Sequence, residues 1–207
     1  MTDTDPTGWF EELYVKAEAG EAEVPWNREV PNPRLVSWAE AHTIDGAKRR
    51  ALVVGSGLGS DAEYVSQLGF DTTAFDIAPT AIRVTKERFP DSKVHYLVAD
   101  LLDPPPEWRE AFDFVLENIT VQALPPRLHP EATRRVTEFV APGGTLLVLA
   151  AAGEEGDDPD GPPWPLTRRE IEAFASSCDL ETVRIEHLSL PGESFPNRWR
   201  AEFRRPA

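Results

Sequence analysis

The stretch ALVVGSGLGSD, residues 51–61, combines an apolar run with a glycine-rich turn and an acidic residue. The apolar run predicts a buried strand over 50–54, and the pattern after the turn predicts a helix over 60–68. Glycine-rich turns that join a strand to a helix often bind adenosine-containing cofactors. This stretch therefore predicts an α/β protein with such a cofactor, and the spacing of its glycines bears on which cofactor it is.

Two common adenosine cofactors fit this turn poorly. Gly55, Gly57 and Gly59 are spaced G-x-G-x-G, whereas the dinucleotide fingerprint requires its third glycine where Ser60 stands. A triphosphate-binding loop ends in Gly-Lys followed by Ser or Thr, and the stretch contains no lysine. Two alternatives therefore stay open. The turn binds a nicotinamide dinucleotide, which its spacing fits poorly, or it is a tight turn that holds no ligand.

Acidic residues follow the next two predicted strands, 72–76 and 94–98. Asp76 ends the first of these, about 20 residues after Gly55, where a carboxylate can accept hydrogen bonds from both ribose hydroxyls. Asp100 follows the second, where an acceptor would lie beside an adenine. Ligands of open α/β sheets bind at the carboxyl ends of the strands, so residues 55, 76, 100 and 117 should meet in one crevice.

The rest of the chain alternates strand and helix patterns, which is typical of a doubly wound, mostly parallel sheet. Further strands are predicted over 112–116, 145–150, 181–190 and 199–204, and further helices over 33–49, 79–89 and 130–140. Thr167 followed by Glu170 is a capping box that begins another helix. The segment PGESFPN, residues 191–197, is too short for a crossover, so the last strand should run antiparallel.

Length, charge and cysteine content exclude several classes of protein. A chain of 207 residues suits one α/β domain, and a net charge of −15 disfavours a nucleic-acid partner. Cys178 is the only cysteine, which excludes an intrachain disulfide and a zinc ribbon. The start of the chain lacks signal-peptide features, and its apolar runs are too short to span a bilayer. We therefore expect a cytoplasmic protein without a membrane or metal site, and its oligomeric state stays open.

Several stretches resemble the thiopurine and halide/thiol methyltransferases, which are class I S-adenosylmethionine-dependent enzymes. These stretches are VPWNREVPNP (24–33), LVVGSGLGSDA (52–62), FDIAPTAI (75–82), VADLLD (98–103), FDFVLENITVQALPP (112–126), APGGTLLVLA (141–150) and GPPWPLTRREIEAF (161–174). The resemblance implies a single Rossmann-like methyltransferase domain over 1–207, with residues 1–46 as a helical N-terminal cap. It also implies S-adenosylmethionine as cofactor, S-adenosylhomocysteine as product and a small molecule as methyl acceptor.

The resemblance also implies which residues contact the cofactor. Trp26 matches a tryptophan that packs on it, Asp76 matches the acid that binds the ribose, and Asp100 with Leu101 matches the pair at the adenine edge. Trp9 is an alternative match for the aromatic position given to Phe10. The full set of expected cofactor residues is Phe10, Tyr14, Trp26, Gly55, Gly57, Gly59, Asp76, Ile77, Asp100, Leu101, Glu117 and Asn118.

The acceptor pocket is where this sequence departs from the resemblance. Asn118, Thr120 and Gln122 stand where such enzymes often have aromatic rings, and Val54 replaces a proline or an acid. Since an unpaired buried polar group costs about 1–3 kcal/mol, these side chains predict a polar acceptor held by at least one of them. Trp164, on a proline-rich loop, is a further candidate for the acceptor pocket.

No general base is evident near this pocket, so the catalytic residue stays unassigned. His129 is the histidine nearest to the predicted acceptor loop. No second histidine stands at H-x-x-x-H spacing from it, and no cluster of carboxylates stands beside it in the sequence. The methylated atom is sulfur, nitrogen or oxygen. A protein that binds an adenosine cofactor without turnover, and less so an NAD-linked oxidoreductase, are the alternatives that the residues leave open.

Overall fold

The computed structural model describes residues 6–157, 161–189 and 196–207. Within these residues, six α-helices surround one seven-stranded sheet. The helices are α1 (Gly8–Glu18), α2 (Pro33–His42), α3 (Ser60–Gln67), α4 (Pro79–Arg88), α5 (His129–Glu138) and α6 (Arg168–Ser176). The strands are β1 (Arg50–Val54), β2 (Asp71–Asp76), β3 (His95–Val98), β4 (Phe112–Asn118), β5 (Val140–Ala151), β6 (Glu181–Ser189) and β7 (Asn197–Arg204).

The strand order is β3-β2-β1-β4-β5-β7-β6. The pairs from β3 across to β5 are parallel, and β7 pairs antiparallel with both β5 and β6. This arrangement confirms the predicted doubly wound sheet with an antiparallel last strand. Most of the segment expected to join β6 and β7, residues 190–195, lies outside the described residues.

Two apolar cores cover the two faces of the sheet. One core packs β1, β4 and β5 against α5 and α6 through residues such as Val136 and Phe174. The other packs the opposite face against α2, α3 and α4, with Leu35 and Val65 fully buried. Because the central strands are buried on both sides, their sequences are continuous apolar runs. No helix of the described chain is long and apolar enough to cross a membrane.

Several element boundaries differ from the sequence predictions, and three of these differences have a structural reason or bear on the site. Strand β5 begins at Val140 instead of Thr145, because the chain around Gly143 (φ +75°) forms an irregular strand that bonds to residues 205 and 206. Helix α2 ends at His42, seven residues early, because Thr43 adopts a left-handed conformation (φ 49°). Strand β4 continues two residues further, to Asn118, and this extension carries it to the mouth of the cleft described below.

Helix α1 is fastened to the start of α4. The N-cap residue of α4, Ala78, offers no side-chain acceptor, and Glu11 of α1 supplies one instead. Its carboxylate accepts hydrogen bonds from the Thr80 backbone N–H (3.0 Å) and from the Thr80 hydroxyl (2.7 Å). Glu18 at the other end of α1 pairs with Arg83 at 2.6 Å. These contacts hold α1 over the carboxyl ends of the strands.

Candidate active site

A deep cleft opens at the carboxyl ends of β1, β2, β3 and β4, where the sequence predicted a shared crevice. It contains about 1020 Å³ of empty space, its open mouth included, which is at the upper end of the range for small-molecule sites. Its walls come from the strand ends, from the start of α3 and from the N-terminal segment. The cleft is lined by Thr7, Phe10, Tyr14, Trp26, Arg28, Asn32, Gly55, Asp61, Phe75, Asp76, Ile77, Ala99, Asp100, Leu101, Leu102, Asn118, Ile119, Thr120, Ala123 and Leu124.

The glycine-rich turn forms the floor of the cleft. Gly55 has a φ of +59°, and a Cβ at this position would lie 2.3 Å from the Oγ1 of Thr120. A side chain here would therefore both strain the backbone and fill the space between β1 and β4. Gly57 and Gly59 do not line the cleft, although both also have a positive φ. The Gly57 N–H instead donates a hydrogen bond to the Oδ2 of Asp76 (2.9 Å), which orients that carboxylate.

Asp76 lies at the end of β2 with only 6% of its surface exposed. Its Oδ1 accepts a hydrogen bond from the Ala78 N–H (3.0 Å), and its Oδ2 accepts the bond from Gly57. Burial raises the pKa of Asp76 above its usual value, while these backbone donors act in the opposite direction. A carboxylate has about four acceptor positions, so Asp76 keeps acceptor capacity for a ligand beside the backbone donors of Gly57, Ile77 and Ala78.

The wall next to Asp76 is apolar apart from one carboxylate. Asp100 follows β3, and its Oδ1 accepts a hydrogen bond from the Leu102 N–H (2.8 Å). Leu101 and Leu102 line the cleft beside it, and Ile77 lies on the side of β2. Flat apolar surfaces next to carboxylate acceptors suit a nucleoside, because its base stacks on apolar atoms while its hydroxyl and amino groups donate hydrogen bonds.

Aromatic rings close the cleft from the N-terminal side. Phe10 and Trp26 meet edge to face with centroids 6.2 Å apart, and Tyr14 and Trp26 do so at 6.1 Å. The Trp26 indole N–H donates a hydrogen bond to the Tyr14 hydroxyl (2.7 Å). Burial, with the nearby charge of Asp76, raises the pKa of Tyr14 well above its usual range. Trp9 stacks on Phe10 at 4.0 Å but does not line the cleft, which favours the match of Phe10 to the predicted aromatic position.

The polar side chains predicted to hold the acceptor are bonded to the protein itself. The Asn118 Nδ2 donates to the Oδ2 of Asp61 (2.8 Å), and the Thr120 hydroxyl donates to the Val54 carbonyl (3.0 Å). Both side chains still line the cleft. Gln122 is fully buried behind it, and its Oε1 accepts a hydrogen bond from the Ala151 N–H (2.6 Å). The structure thus brings two of the three polar candidates to the cleft.

Two other predicted residues also lie away from the cleft. Trp164 borders a separate groove together with His129 and Glu170. The Glu117 side chain points into the core instead, where its Oε1 accepts a hydrogen bond from the Val121 N–H (2.9 Å). Side chains alternate between the faces of a strand, so Glu117 and Asn118 cannot both face the same way. Burial raises the pKa of Glu117 to about 7.

Both ring nitrogens of His129 lie within hydrogen-bond distance of protein groups outside the cleft. Its Nε2 lies 2.8 Å from the Leu124 carbonyl, and its Nδ1 lies 2.7 Å from the Oε1 of Glu170. Partial burial would raise the pKa of Glu170, but hydrogen bonds from His129 and Thr167 hold it below its usual value. The same Glu170 closes the predicted capping box with Thr167 at the start of α6. This histidine therefore joins α5 to α6 and does not line the cleft.

Asp61, Asn32 and Arg28 were not predicted from the sequence, and they line the cleft together near Asn118. The Asp61 Oδ1 accepts a hydrogen bond from the Asn32 N–H (2.7 Å), and the Asn32 Nδ2 donates to the Oδ1 of Asn118 (3.3 Å). Asp61 directly follows the glycine-rich turn, and Asn32 precedes the helix-starting Pro33. Acidic and amide residues at the start of a helix commonly act as caps, so the positions of these two residues do not distinguish a binding role from capping.

Comparisons with known proteins connect this chain with methyltransferases. A family model described as a methyltransferase domain matches residues 51–144, which include the glycine-rich turn, Asp76 and Asp100. Thiocyanate methyltransferase 1 of Brassica oleracea is 24% identical over 186 residues, which is 85% of this chain and 79% of that protein. A 2-heptyl-1-hydroxyquinolin-4(1H)-one methyltransferase of Mycobacteroides abscessus is 25% identical over 186 residues, 85% and 80% of the two chains. Thiopurine S-methyltransferase of Legionella pneumophila is 22% identical over 174 residues, which is 76% of this chain and 77% of that protein.

The fold is shared with solved methyltransferase structures. One is the 1,6-didemethyltoxoflavin-N1-methyltransferase of Burkholderia thailandensis, solved with bound S-adenosylhomocysteine. It superposes with a TM-score of 0.70 at 16% identity, over 100% of this chain and 93% of that one. Residues 51–144 thus match a methyltransferase domain, and the chain has the fold of a methyltransferase that was solved with bound S-adenosylhomocysteine. It resembles the thiocyanate and thiopurine methyltransferases, as the sequence motifs predicted.

Proposed function

We propose that this protein methylates a heteroatom of a small molecule, and that the described cleft holds both the cofactor and the acceptor. The observation that carries the proposal is the continuity of the cleft from Asp100 through Asp76 and Gly55 to Thr120. The two carboxylates and the apolar wall suit the nucleoside part of the cofactor. The end of β4 is then left for the transferred group and the acceptor, as the order of the strand ends requires.

The residues of the cleft contribute orientation more than covalent chemistry. S-adenosylmethionine, when bound, supplies an electrophilic methyl group on a sulfonium centre. Asp76 and Asp100 would fix the nucleoside end, and the Gly55 backbone leaves room close to the floor. The rings of Phe10, Tyr14 and Trp26 would exclude water and stabilise a nearby positive charge. Holding two reacting groups in line can contribute about 7–11 kcal/mol to the lowering of a barrier.

The lining around the β4 end supports an acceptor atom that attacks without help from a general base. Ile119, Ala123 and Leu124 give this region an apolar surface, and the polar groups of Asn118 and Thr120 are already bonded within the protein. A thiolate or a comparable anion needs no proton removed during attack. The relatives named for thiocyanate and for a thiopurine have a sulfur-containing compound in their names, whereas the relative named for a hydroxyquinolone does not. We therefore propose a small sulfur nucleophile as the first acceptor to test.

A methyl-transfer screen with isotopically labelled cofactor tests the proposal directly. Panels of thiols, thiocyanate and halides, phenols and amines would be compared at equal concentrations, with mass spectrometry of the products. We expect the sulfur acceptors to turn over fastest. In the control variant Asp76→Ala, S-adenosylhomocysteine affinity should fall about 10- to 100-fold, because two charge-assisted hydrogen bonds are lost. Turnover confined to amines or phenols would contradict the sulfur acceptor but not the methyltransferase.

A second candidate is a protein that binds the cofactor without turnover. The observation that favours it is the set of titratable side chains lining the cleft within the described residues: Tyr14, Arg28, Asp61, Asp76 and Asp100. Asp61 is the carboxylate among these that lies beside the β4 end, and both of its oxygens already accept hydrogen bonds, from Asn32 and Asn118, so none of the set is an obvious free base. Calorimetry should then show tight S-adenosylhomocysteine binding, with NAD far weaker, while the whole acceptor panel stays unmethylated.

A further inference from the structure

A second groove opens beyond the end of β5, between the starts of α5 and α6. It contains about 1010 Å³ of empty space, its open mouth included. Among the described residues, none lines both this groove and the cleft, so the two are separate places on the molecule. The lining residues with aromatic or titratable side chains are Trp164, His129, Glu154, Asp157 and Glu170. The proposed function leaves this groove without a role.

The backbone that carries Trp164 is held at several points. The Trp164 N–H donates a hydrogen bond to the Gln122 carbonyl (2.7 Å). Two residues further on, the Leu166 N–H donates to the Ala151 carbonyl (3.0 Å), and the Leu166 carbonyl accepts a bond from the Gly153 N–H (3.0 Å). These bonds join the proline-rich segment to the end of β5 and to the turn after β4. The indole therefore stands on a fixed backbone at the side of the groove.

The ring of Trp164 is available to a ligand. It is half-buried, and in the part of the chain that the structure describes no other ring stacks on it and no basic side chain lies over it. The nearby guanidinium of Arg168 lies over Trp199 instead, 5.9 Å from that ring's centroid. An aromatic face attracts a cation within about 6 Å of its centre, and tryptophan does so most strongly. Trp164 thus offers the groove a surface that suits a positive charge.

The three carboxylates of the groove differ in how far the protein uses them. The Glu170 Oε1 lies 2.7 Å from the Nδ1 of His129, and its Oε2 accepts hydrogen bonds from the Thr167 N–H (2.8 Å) and hydroxyl (3.0 Å). The Asp157 Oδ2 accepts a single bond, from the Glu154 N–H (3.2 Å). No lysine or arginine is among the described residues that line the groove. The carboxylates of Glu154 and Asp157 therefore give it an uncompensated negative charge.

The groove suits an organic cation better than a metal ion. No group of three or more His, Cys, Asp or Glu side chains within the described ranges could hold a metal. Pro126, Pro165 and Trp164 place apolar surface next to Glu154 and Asp157. Apolar surface and an aromatic face beside negative charge match an ammonium group that carries methyl or methylene groups.

We propose that this groove binds a small organic cation, with its ammonium group over the Trp164 indole and close to the carboxylates of Glu154 and Asp157. The assignment does not depend on what the cleft binds, because the two sites share no lining residue. The fixed backbone of Trp164 favours binding, since little of the protein has to be ordered when the ligand arrives.

An NMR titration of the isotope-labelled chain with choline tests the site directly. The chain has six tryptophans, and the indole N–H signal that is missing from the spectrum of Trp164→Leu is the signal of Trp164. Choline should shift this signal in the parent chain. Its neutral isostere 3,3-dimethylbutanol should bind about 10-fold more weakly, because it keeps the shape and loses the charge.

The same titration is repeated with saturating S-adenosylhomocysteine. The rings of Phe10, Tyr14 and Trp26 also attract cations, and a filled cleft removes that competing site. We expect the choline affinity reported by Trp164 to stay within about twofold, since the groove lies outside the cleft.

Variants of the groove separate the contribution of the ring from that of the charge. Trp164→Leu should weaken choline binding about 5- to 30-fold, and Trp164→Phe should weaken it less, because a smaller aromatic face remains. The Gly153 amide, which lines the groove, reports binding in these variants. Glu154→Gln should weaken binding about 2- to 5-fold. The matched control Glu155→Gln, at an exposed neighbour that does not line the groove, should leave it almost unchanged. Thermal unfolding shows whether each variant keeps the fold.

Several results would overturn the assignment. Equal affinities for choline and its isostere would mean an apolar groove without a cation site. An unshifted Trp164 signal, or a shift that disappears when S-adenosylhomocysteine fills the cleft, would place choline elsewhere. Equal losses in Glu154→Gln and Glu155→Gln would remove the local carboxylate. A chain whose Trp164 signal responds to choline but that binds no S-adenosylhomocysteine would overturn the proposed function and leave the groove site standing.

Discussion

The change Glu117→Gln tests the cost of a buried carboxylate beside the cleft. Glu117 is fully buried, and its Oε2 has no hydrogen-bond partner among the residues that the structure describes. Burial raises its pKa from 4.5 to about 7, although the Val121 and Thr120 N–H groups and the charge of His129 act in the opposite direction. The folded state therefore favours the protonated carboxyl. Its contribution to stability is fully present below about pH 4.5 and is lost as the pH rises through about 7.

The size of the effect follows from the two pKa values. Between pH 5.5 and 8.5 the difference in proton binding lowers the free energy of unfolding by about 2 kcal/mol. Glutamine keeps the acceptor for the Val121 N–H and does not titrate. The free energy of unfolding of Glu117→Gln, relative to the parent, should thus rise by about 2 kcal/mol over this pH range.

Urea unfolding of parent and variant at several pH values measures this difference directly. Groups common to both proteins cancel in the comparison, so the change with pH isolates Glu117. The variant Glu131→Gln, on an exposed part of α5, is a matched control that should leave the pH dependence almost unchanged. Parallel stability curves for parent and Glu117→Gln would refute the reasoning, since they would mean that the carboxyl titrates alike in the folded and unfolded chains.

Two further predictions concern the floor and the cover of the cleft. Gly55→Ala should destabilise the fold by more than about 2 kcal/mol and abolish S-adenosylhomocysteine binding, because its Cβ meets Thr120 and its φ is positive. Gly143→Ala, with a similar φ but open space, should show only the smaller backbone cost in denaturant unfolding and should bind normally. Glu11→Ala should lower the free energy of unfolding by about 1 kcal/mol, because the N–H of Thr80 loses its cap. The same variant should weaken calorimetric cofactor affinity, and an unchanged affinity would show that α1 does not cover the site.

Much of the candidate site could be read from residue spacing. Asp76 and Asp100 both follow apolar strands, and parallel strands end at one edge of a sheet, so their meeting in the cleft needed no knowledge of distant contacts. Gly55 was predicted for the same reason, because it directly follows strand β1. The direction of side chains after β4 could not be read in this way. Thr120 faces the cleft while Gln122 turns into the core, because a short 3-10 turn over 121–123 breaks the alternation of the strand.

The sequence by itself determined the succession of strands and helices along the chain and the antiparallel last strand, because apolar periodicity and turn chemistry are local properties. The expectation of S-adenosylmethionine came instead from the resemblance of longer stretches to a methyltransferase family. Only the tertiary structure decided which polar groups are free to meet a ligand. Asn118 is paired with Asp61, 57 residues away, and Thr120 with Val54, 66 residues away. Hydrogen-bond partners this distant in the chain depend on how the strands stack side by side. For that reason the sequence could predict these polar side chains as an acceptor site but not their hydrogen bonds to distant parts of the chain, and Asn118 and Thr120 line the cleft with those bonds made.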